Sequence, residues 1–306
     1  MARSLTVLIA GGSGMIGSAL TELLQQKGHD VRHLSRNPSS STSHVQSYAW
    51  APGAEPLDLD QLSQDIGKPI DVIVNLAGST ISKMPWTAKR KKIILDSRID
   101  ATSTIVDAIA RAQHKPEVLI NGSAVGFYGD RDNEILTESS SQGVGFLAEV
   151  VAQWEEAAMP ATQHTRVVLA RTGLVLGDHG ALSPLKLITK FFASGPLAGG
   201  KDWWPWISLE DEARALAFLI DHDVTGAVNL VGPESATSAT VMKELARQLK
   251  RPFWLPAPGF AISLVLGQAG RELLLSSQHI VPEVLLTSGF SFTDQTISEG
   301  VRSALR

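Results

Sequence analysis

Residues 5–17, LTVLIAGGSGMIG, constrain the possible folds of this chain more than any other stretch. Leu5, Val7, Leu8 and Ile9 form a short apolar run without polar alternation, the pattern of a strand buried on both faces. Gly11, Gly12, Gly14 and Gly17 follow, and helical spacing begins at residue 19. A strand, a glycine turn and a helix N-terminus in that order make a pyrophosphate cradle. Glycine permits the tight turn and the close approach of backbone to phosphate, while free N–H groups and the helix dipole favour negative charge. Glycine-rich turns are common, but here the flanking strand and helix supply the context that the motif requires. The expected contacts are Gly11, Gly12, Ser13, Gly14, Met15, Ile16 and Gly17.

The second strand is expected over 31–34, closed by Ser35, Arg36 and Asn37. A dinucleotide fold that prefers NAD places an acidic side chain about 20 residues past the glycines, on the ribose 2′-hydroxyl. No Asp or Glu stands at this strand end. Arg36 does, and its guanidinium suits a 2′-phosphate, so NADP is the expected cofactor, with Ser35 and Arg36 at its ribose. The bland alternative is a solvated loop arginine. Residues 71–77, DVIVNLA, read as a buried strand, and the backbone of Leu76, Ala77 and Gly78 at its exit would face the ligand crevice.

Further strands are expected over 48–50, 118–121, 166–170 and 227–231, and helices over 87–112, 146–158, 181–193, 211–220 and 241–250. The alternation implies an α/β fold of the Rossmann type, a doubly wound parallel sheet with right-handed crossovers. The division expected is a dinucleotide-binding domain over 1–231 and a smaller C-terminal substrate lobe over 232–306, with 173–207 contributing to that lobe. Residues 38–43 read as a mobile Ser-rich loop, and the apolar run 260–275 as a packed helix pair or an interface, being interrupted by Gln268, Arg271 and Glu272.

Composition excludes several classes. There is no cysteine, hence no disulfide, thiolate metal site or Cys nucleophile. The eight histidines are scattered, with His29 and His33 read as structural or exposed, and no metal is expected. A net charge of −4 with no long basic run makes nucleic acid or an anionic membrane a poor partner. With no targeting or spanning segment, a cytoplasmic protein with a small-molecule substrate is expected, and a homodimer stays open.

Catalytic hydroxyls would sit where a strand ends at the crevice, and Ser123 and Tyr128 in GSAVGFYG are the candidates. Glu155 and Glu156 read as surface residues, and Asp211 as a helix-end residue in a capping-box-like Ser208-x-x-Asp211. Trp203, Trp204 and Trp206 follow a glycine-rich loop, so Trp204 and Trp206 either wall the substrate cleft or pack the small lobe's core.

Taken together, AGGSGMIG, LSRNP, NLAG, WTAKRKKIILDSRID, GSAVGFYGD, WEEAA, RTGLVLG, WPWISLEDEA and the closing RPFWLPAPGFAISLVLG to LLTSGFSF resemble an extended short-chain dehydrogenase/reductase of the sugar-nucleotide-epimerase-like branch. The likeness covers nearly the whole chain and includes that branch's small C-terminal domain of uncharacterised function. It implies an NADP(H)-binding domain and a small substrate, with sugar-nucleotide-like chemistry. Gly11, Gly14 and Gly17 match the family's glycines, Arg36 its NADP-selecting position and Ser123 its catalytic serine. Arg98 stands where many members carry an Asn, and is a candidate substrate contact. The family's YxxxK pair is missing, because the helix reads FLAEVV at 146–151. Two functions follow: an NADP-dependent oxidoreductase or epimerase-like enzyme with a non-standard acid, or a non-catalytic NADP(H)-binding sensor. Without the helix pair, Tyr128 is the plausible acid if a cation lowers its pKa, with Ser123 holding the substrate oxygen; the alternative for Tyr128 is a structural role, its ring under the cofactor and its hydroxyl on backbone.

Overall fold

A computed structural model describes residues 3–38, 45–177, 180 and 182–306. The Ser-rich stretch at 38–43 lies, past residue 38, outside the described residues.

In chain order the elements are β1 (Thr6–Ala10), α1 (Met15–Gln26), β2 (Asp30–Ser35), β3 (Ser47–Ala49), α2 (Leu59–Ile66), β4 (Val72–Asn75), α3 (Ala88–Arg111), β5 (Val118–Ala124), β6 (Ile135–Leu136), α4 (Phe146–Ala158), β7 (Arg166–Thr172) and β8 (Leu174–Leu176). Then come α5 (Leu182–Lys190), β9 (Trp203–Trp204), β10 (Trp206–Ser208), α6 (Leu209–Asp221), β11 (Gly226–Leu230), β12 (Ala236–Thr237), α7 (Ser238–Gln248), α8 (Gly259–Leu274), β13 (His279–Ile280), α9 (Glu283–Thr287) and α10 (Ile297–Ser303).

Seven strands form one parallel sheet in the order β11-β7-β5-β4-β1-β2-β3. All five residues of β1 are buried, as a strand covered on both faces requires. Val7, Ile9, Val74 and Ile120 meet α1 and α6 on one face, while Leu8, Ile73 and Leu119 meet α2 and α3 on the other. The chain is therefore a Rossmann-type doubly wound α/β protein. Among the described residues no helix is long and apolar enough to cross a membrane.

A third core gathers Leu176, Leu182, Leu197, Trp204 and Trp206 with Val241, Leu245 and Val301, so 174–206 and 236–304 build one lobe together. The C-terminal segment is not confined to it: Leu285, Phe290 and Phe292 return to the core beneath the main sheet. Helix α8 is broken at Gly267, whose φ of 59° and ψ of −137° lie outside the helical region. The run at 260–275, read from the sequence as a packed helix pair or an interface, is thus two helical segments meeting at a corner at Gly267.

Candidate active site

Three glycines of the cradle are demanded by three different neighbours. Gly11 has φ +83°, and a Cβ there would lie 2.7 Å from the carbonyl oxygen of Leu76. A Cβ on Gly17 would lie 2.4 Å from the carbonyl oxygen of Gly11, and one on Gly12 would lie 2.4 Å from the His33 ring. Gly14, the residue before α1, gives the helix no side-chain cap. The opening N–H groups of α1 are left for an anion, which is what a pyrophosphate provides. His33, on β2, supports this loop from beneath. The Thr21 hydroxyl donates to the Gly17 carbonyl at 2.6 Å, so at 2.9 Å it accepts from His33 Nε2. Burial holds the imidazole pKa below its ordinary value.

Ser35 ends β2 and accepts the Asn37 N–H at 3.2 Å, and Arg36 is exposed beside it. Leu76 is tied back to β1 by its N–H to the Ala10 carbonyl at 2.8 Å, and the Ala77 N–H meets Asn75 Oδ1 at 3.2 Å. This strand exit lies directly against the glycine turn, as the 2.7 Å approach of Leu76 to Gly11 requires.

Next to Gly78 two arginines converge. Arg98 Nη1 donates to the carbonyls of Ser79 and Ile94 at 3.0 and 2.9 Å, while Arg90 Nη1 donates to Ser79 Oγ at 3.0 Å and its Nη2 to the Thr80 carbonyl. Among the described residues neither has a carboxylate partner. Burial, then repulsion from Arg90, lowers the Arg98 pKa to about 10. Two guanidiniums short of negative charge at a sheet's carboxyl edge constitute an anion-seeking site.

Ser123 is the penultimate residue of β5, and its hydroxyl donates to Glu155 Oε1 at 2.5 Å. Arg171, at the end of β7, holds the same carboxylate by a fork, Nε to Oε1 and Nη2 to Oε2, both 2.8 Å. Glu155 is thus a buried member of the site and not a surface residue. The register of α4 carries the signal, since Ala148, Val151, Glu155 and Ala158 share its buried face. Arg171 likewise follows Val167 and Leu169 onto one face of β7.

Of the two roles open to Tyr128, acid or structural hydroxyl, its surroundings match the structural one. It is fully enclosed, donates its hydroxyl to Asn229 Oδ1 at 2.7 Å and accepts from Arg171 Nη1 at 2.9 Å. Arg171 pulls its pKa down, but burial outweighs this and raises the pKa. A phenol with both hydrogen-bonding capacities used and no exposed atom is no donor to a substrate. Of the two places open to Trp204 and Trp206, the lobe's core is where both are buried, and the indole of Trp206 donates to the Glu234 carbonyl at 2.8 Å.

At the N-terminus of α4 the preceding Gly145 supplies no cap. Glu272, from α8, does so instead, accepting the N–H groups of Phe146 and Leu147 at 3.2 and 2.8 Å. Gln268 donates to Glu272 at 2.6 Å and accepts from Lys91 of α3. The small lobe is therefore pinned to α3 and to the first turn of α4. Phe146 there packs edge-on against Trp86 at 5.4 Å. Nothing in the local sequence announces the capping role of Glu272, since the N–H groups that it caps lie over 120 residues away. Among the described residues no group of acids and histidines is placed to hold a metal.

Comparison with known proteins agrees with this geometry. Residues 7–232 match the NAD dependent epimerase/dehydratase family, and residues 257–304 match a domain of unknown function. The chain is 37% identical over 305 residues to the epimerase family protein ML0860 of Mycobacterium leprae, covering 99% of this chain and 96% of that protein. It superposes on the crystal structure of human epimerase family protein SDR39U1 (isoform 2) with NADPH at a TM-score of 0.87, with 29% identity, across 98% of this chain and 99% of that one. The nucleoside-diphosphate sugar epimerase from Corynebacterium glutamicum matches with a TM-score of 0.77 and 32% identity, over 99% of this chain but 58% of that longer one. Cradle, strand order and C-terminal lobe agree with these matches, and the chain belongs to the NAD dependent epimerase/dehydratase family of extended short-chain dehydrogenases/reductases.

Proposed function

We propose that this chain is an NADP(H)-dependent oxidoreductase of the epimerase kind, acting on a small anionic substrate with the chemistry of a nucleotide sugar. The observation that carries the reading is the pair Arg90 and Arg98, charged and without carboxylate partners among the described residues, beside the strand exit at Gly78. Gly11 to Gly17 would hold the pyrophosphate, Arg36 the 2′-phosphate, and the backbone at Leu76, Ala77 and Gly78 would lie under a ribose. The NADPH in the human relative's structure and the nucleoside-diphosphate sugar epimerase among the matches support that assignment. The fit rests on the glycines themselves, because a Cβ at Gly11, Gly12 or Gly17 would fill the turn.

Bound NADP(H) supplies hydride exchange with a substrate carbon; the protein must supply binding and a proton path. Ser123 takes that part in the absence of the helix Tyr and Lys. Its hydrogen is already directed at Glu155, so a proton leaving a substrate hydroxyl passes through Ser123 Oγ to the carboxylate. Arg171 keeps Glu155 in place by its two-pronged contact.

A sensor without turnover is the second reading, favoured by the enclosure of Tyr128 and by Phe146 and Leu147 in the first turn of α4. The deciding experiment offers nucleotide sugars and NADP(H) to the protein, following reduction by absorbance and inversion by NMR. Ser123→Ala should lower kcat about 10²-fold with NADP affinity kept. Arg98→Met should raise KM for the anionic substrate about 10-fold or more. Tight NADPH binding with no turnover of any substrate would establish the sensor instead.

A further inference from the structure

The small lobe carries large apolar side chains that its own core does not use. Phe191 and Phe192, just past α5, are exposed, as are Trp254 in the following connection and Phe260, Leu264 and Val265 in α8. Leu264 is 83% exposed and Phe191 74%, values at which a side chain contributes almost nothing to folding. The two stretches are fastened together: the Trp254 indole donates to the Phe192 carbonyl at 2.9 Å, and the Trp254 and Leu255 N–H groups both meet the Ser194 carbonyl. Gly267 breaks α8 between this outward half and the half that reaches Glu272 and α4.

Charge is segregated here as well. The chain as a whole carries −4, yet residues 187–192 and 250–265 contain Lys190, Lys250 and Arg251 and no Asp or Glu. Lys190 and Lys250 are exposed, and the Arg251 guanidinium lies 4.7 Å from the Phe192 ring centre. Aromatic and aliphatic side chains set among cations, with no acid between them, match an anionic bilayer. The rings and methyls enter the acyl boundary and the cations meet the headgroups. A self-complementary contact between two copies would bring these cations together without a counter-charge. With no spanning helix among the described residues, the contact is with the surface of the membrane.

We propose that the face formed by 187–192 and 250–265 docks the small lobe on an anionic lipid surface. The test uses the full chain with vesicles of phosphatidylcholine alone or with about a quarter phosphatidylglycerol. Sedimentation with the anionic vesicles only is expected, weakened by high salt. Trp254 emission should move to the blue on binding. Leu264→Glu should abolish sedimentation, and each of Lys190→Gln and Lys250→Gln should lower the partition coefficient about five-fold. All three positions are exposed, so folding is preserved, and unchanged NADPH binding verifies it. No sedimentation, equal binding to neutral vesicles, or full binding by Leu264→Glu overturns the proposal. So does a wild-type dimer that Leu264→Glu converts to monomer without any vesicle binding.

Discussion

Arg36 shows how much a single residue at a strand end can decide. It occupies the position where an acid would repel a 2′-phosphate, and it is exposed, with no partner among the described residues to compete. A charge-assisted contact there is worth about 1.5–3 kcal/mol, so NADP should bind roughly ten- to a hundred-fold tighter than NAD. Calorimetric titration of both cofactors checks it, and Arg36→Ala should bring the two affinities together. Residues of this kind are legible because position in a local motif fixes their surroundings. Glu155, Arg171 and Tyr128 were harder, because their roles come from one another. Ser123 looks like a free hydroxyl at a strand end until the helix register brings Glu155 to 2.5 Å from it. Tyr128 looks like a crevice residue until Asn229, 101 positions away, closes over its hydroxyl.

At the scale of elements, the long and strongly patterned ones followed from the sequence, and the short ones did not. The apolar runs at 5–10 and 71–77 and the helix at 87–112 contain enough periods to fix their type, whereas β9, β12 and β13 are two-residue pairings created by the lobe's packing. Helix α2 has no counterpart in the sequence expectations, although Asp58 caps it by accepting from the N–H groups of Asp60 and Gln61. Ser208 does cap α6, but Asp211 accepts from the Ser208 hydroxyl and not from its backbone N–H as a capping box would. Its carboxylate takes the N–H groups of Thr293 and Asp294, binding the last segment to the helix. Helix α4 depends on a comparable loan, since Glu272 from α8 is its N-terminal cap. Removing an N-terminal cap costs about 0.5–2 kcal/mol. Glu272→Ala should lower stability by that amount in urea unfolding, and Glu272→Gln, which keeps an acceptor but loses the charge opposite the helix dipole, by less. Equal stability of wild type and Glu272→Ala would show that the contact is incidental.

For the whole molecule, the seam between α6 and the sheet makes stability depend on pH. Glu212 lies in the first turn of α6, completely enclosed, with Thr172 of β7 donating to its Oε1 at 2.7 Å and no partner for Oε2. Burial raises its pKa to about 8, with the Thr172 hydrogen bond opposing, so at neutral pH the native carboxyl is protonated. In the unfolded chain the same group ionises near pH 4.3. Between these values the native state holds a proton that the unfolded state has released, and stability therefore falls as pH rises. The contribution is complete below about pH 4.3 and lost as pH passes through about 8. His33 acts with the opposite sign: burial lowers its pKa, so its contribution is lost as pH falls through its unfolded value and below. Comparing wild type with Glu212→Gln removes that background, because His33 is common to both. Glutamine keeps the acceptor for Thr172 and cannot ionise, so the variant should be less steeply destabilised between pH 6 and pH 9. With about 1.4 kcal/mol per pKa unit as the ceiling, the difference accumulated over that range should be on the order of 1–3 kcal/mol. Urea midpoints measured for both proteins across the range decide the matter, and parallel curves would mean that the Glu212 carboxyl is already ionised in the native fold.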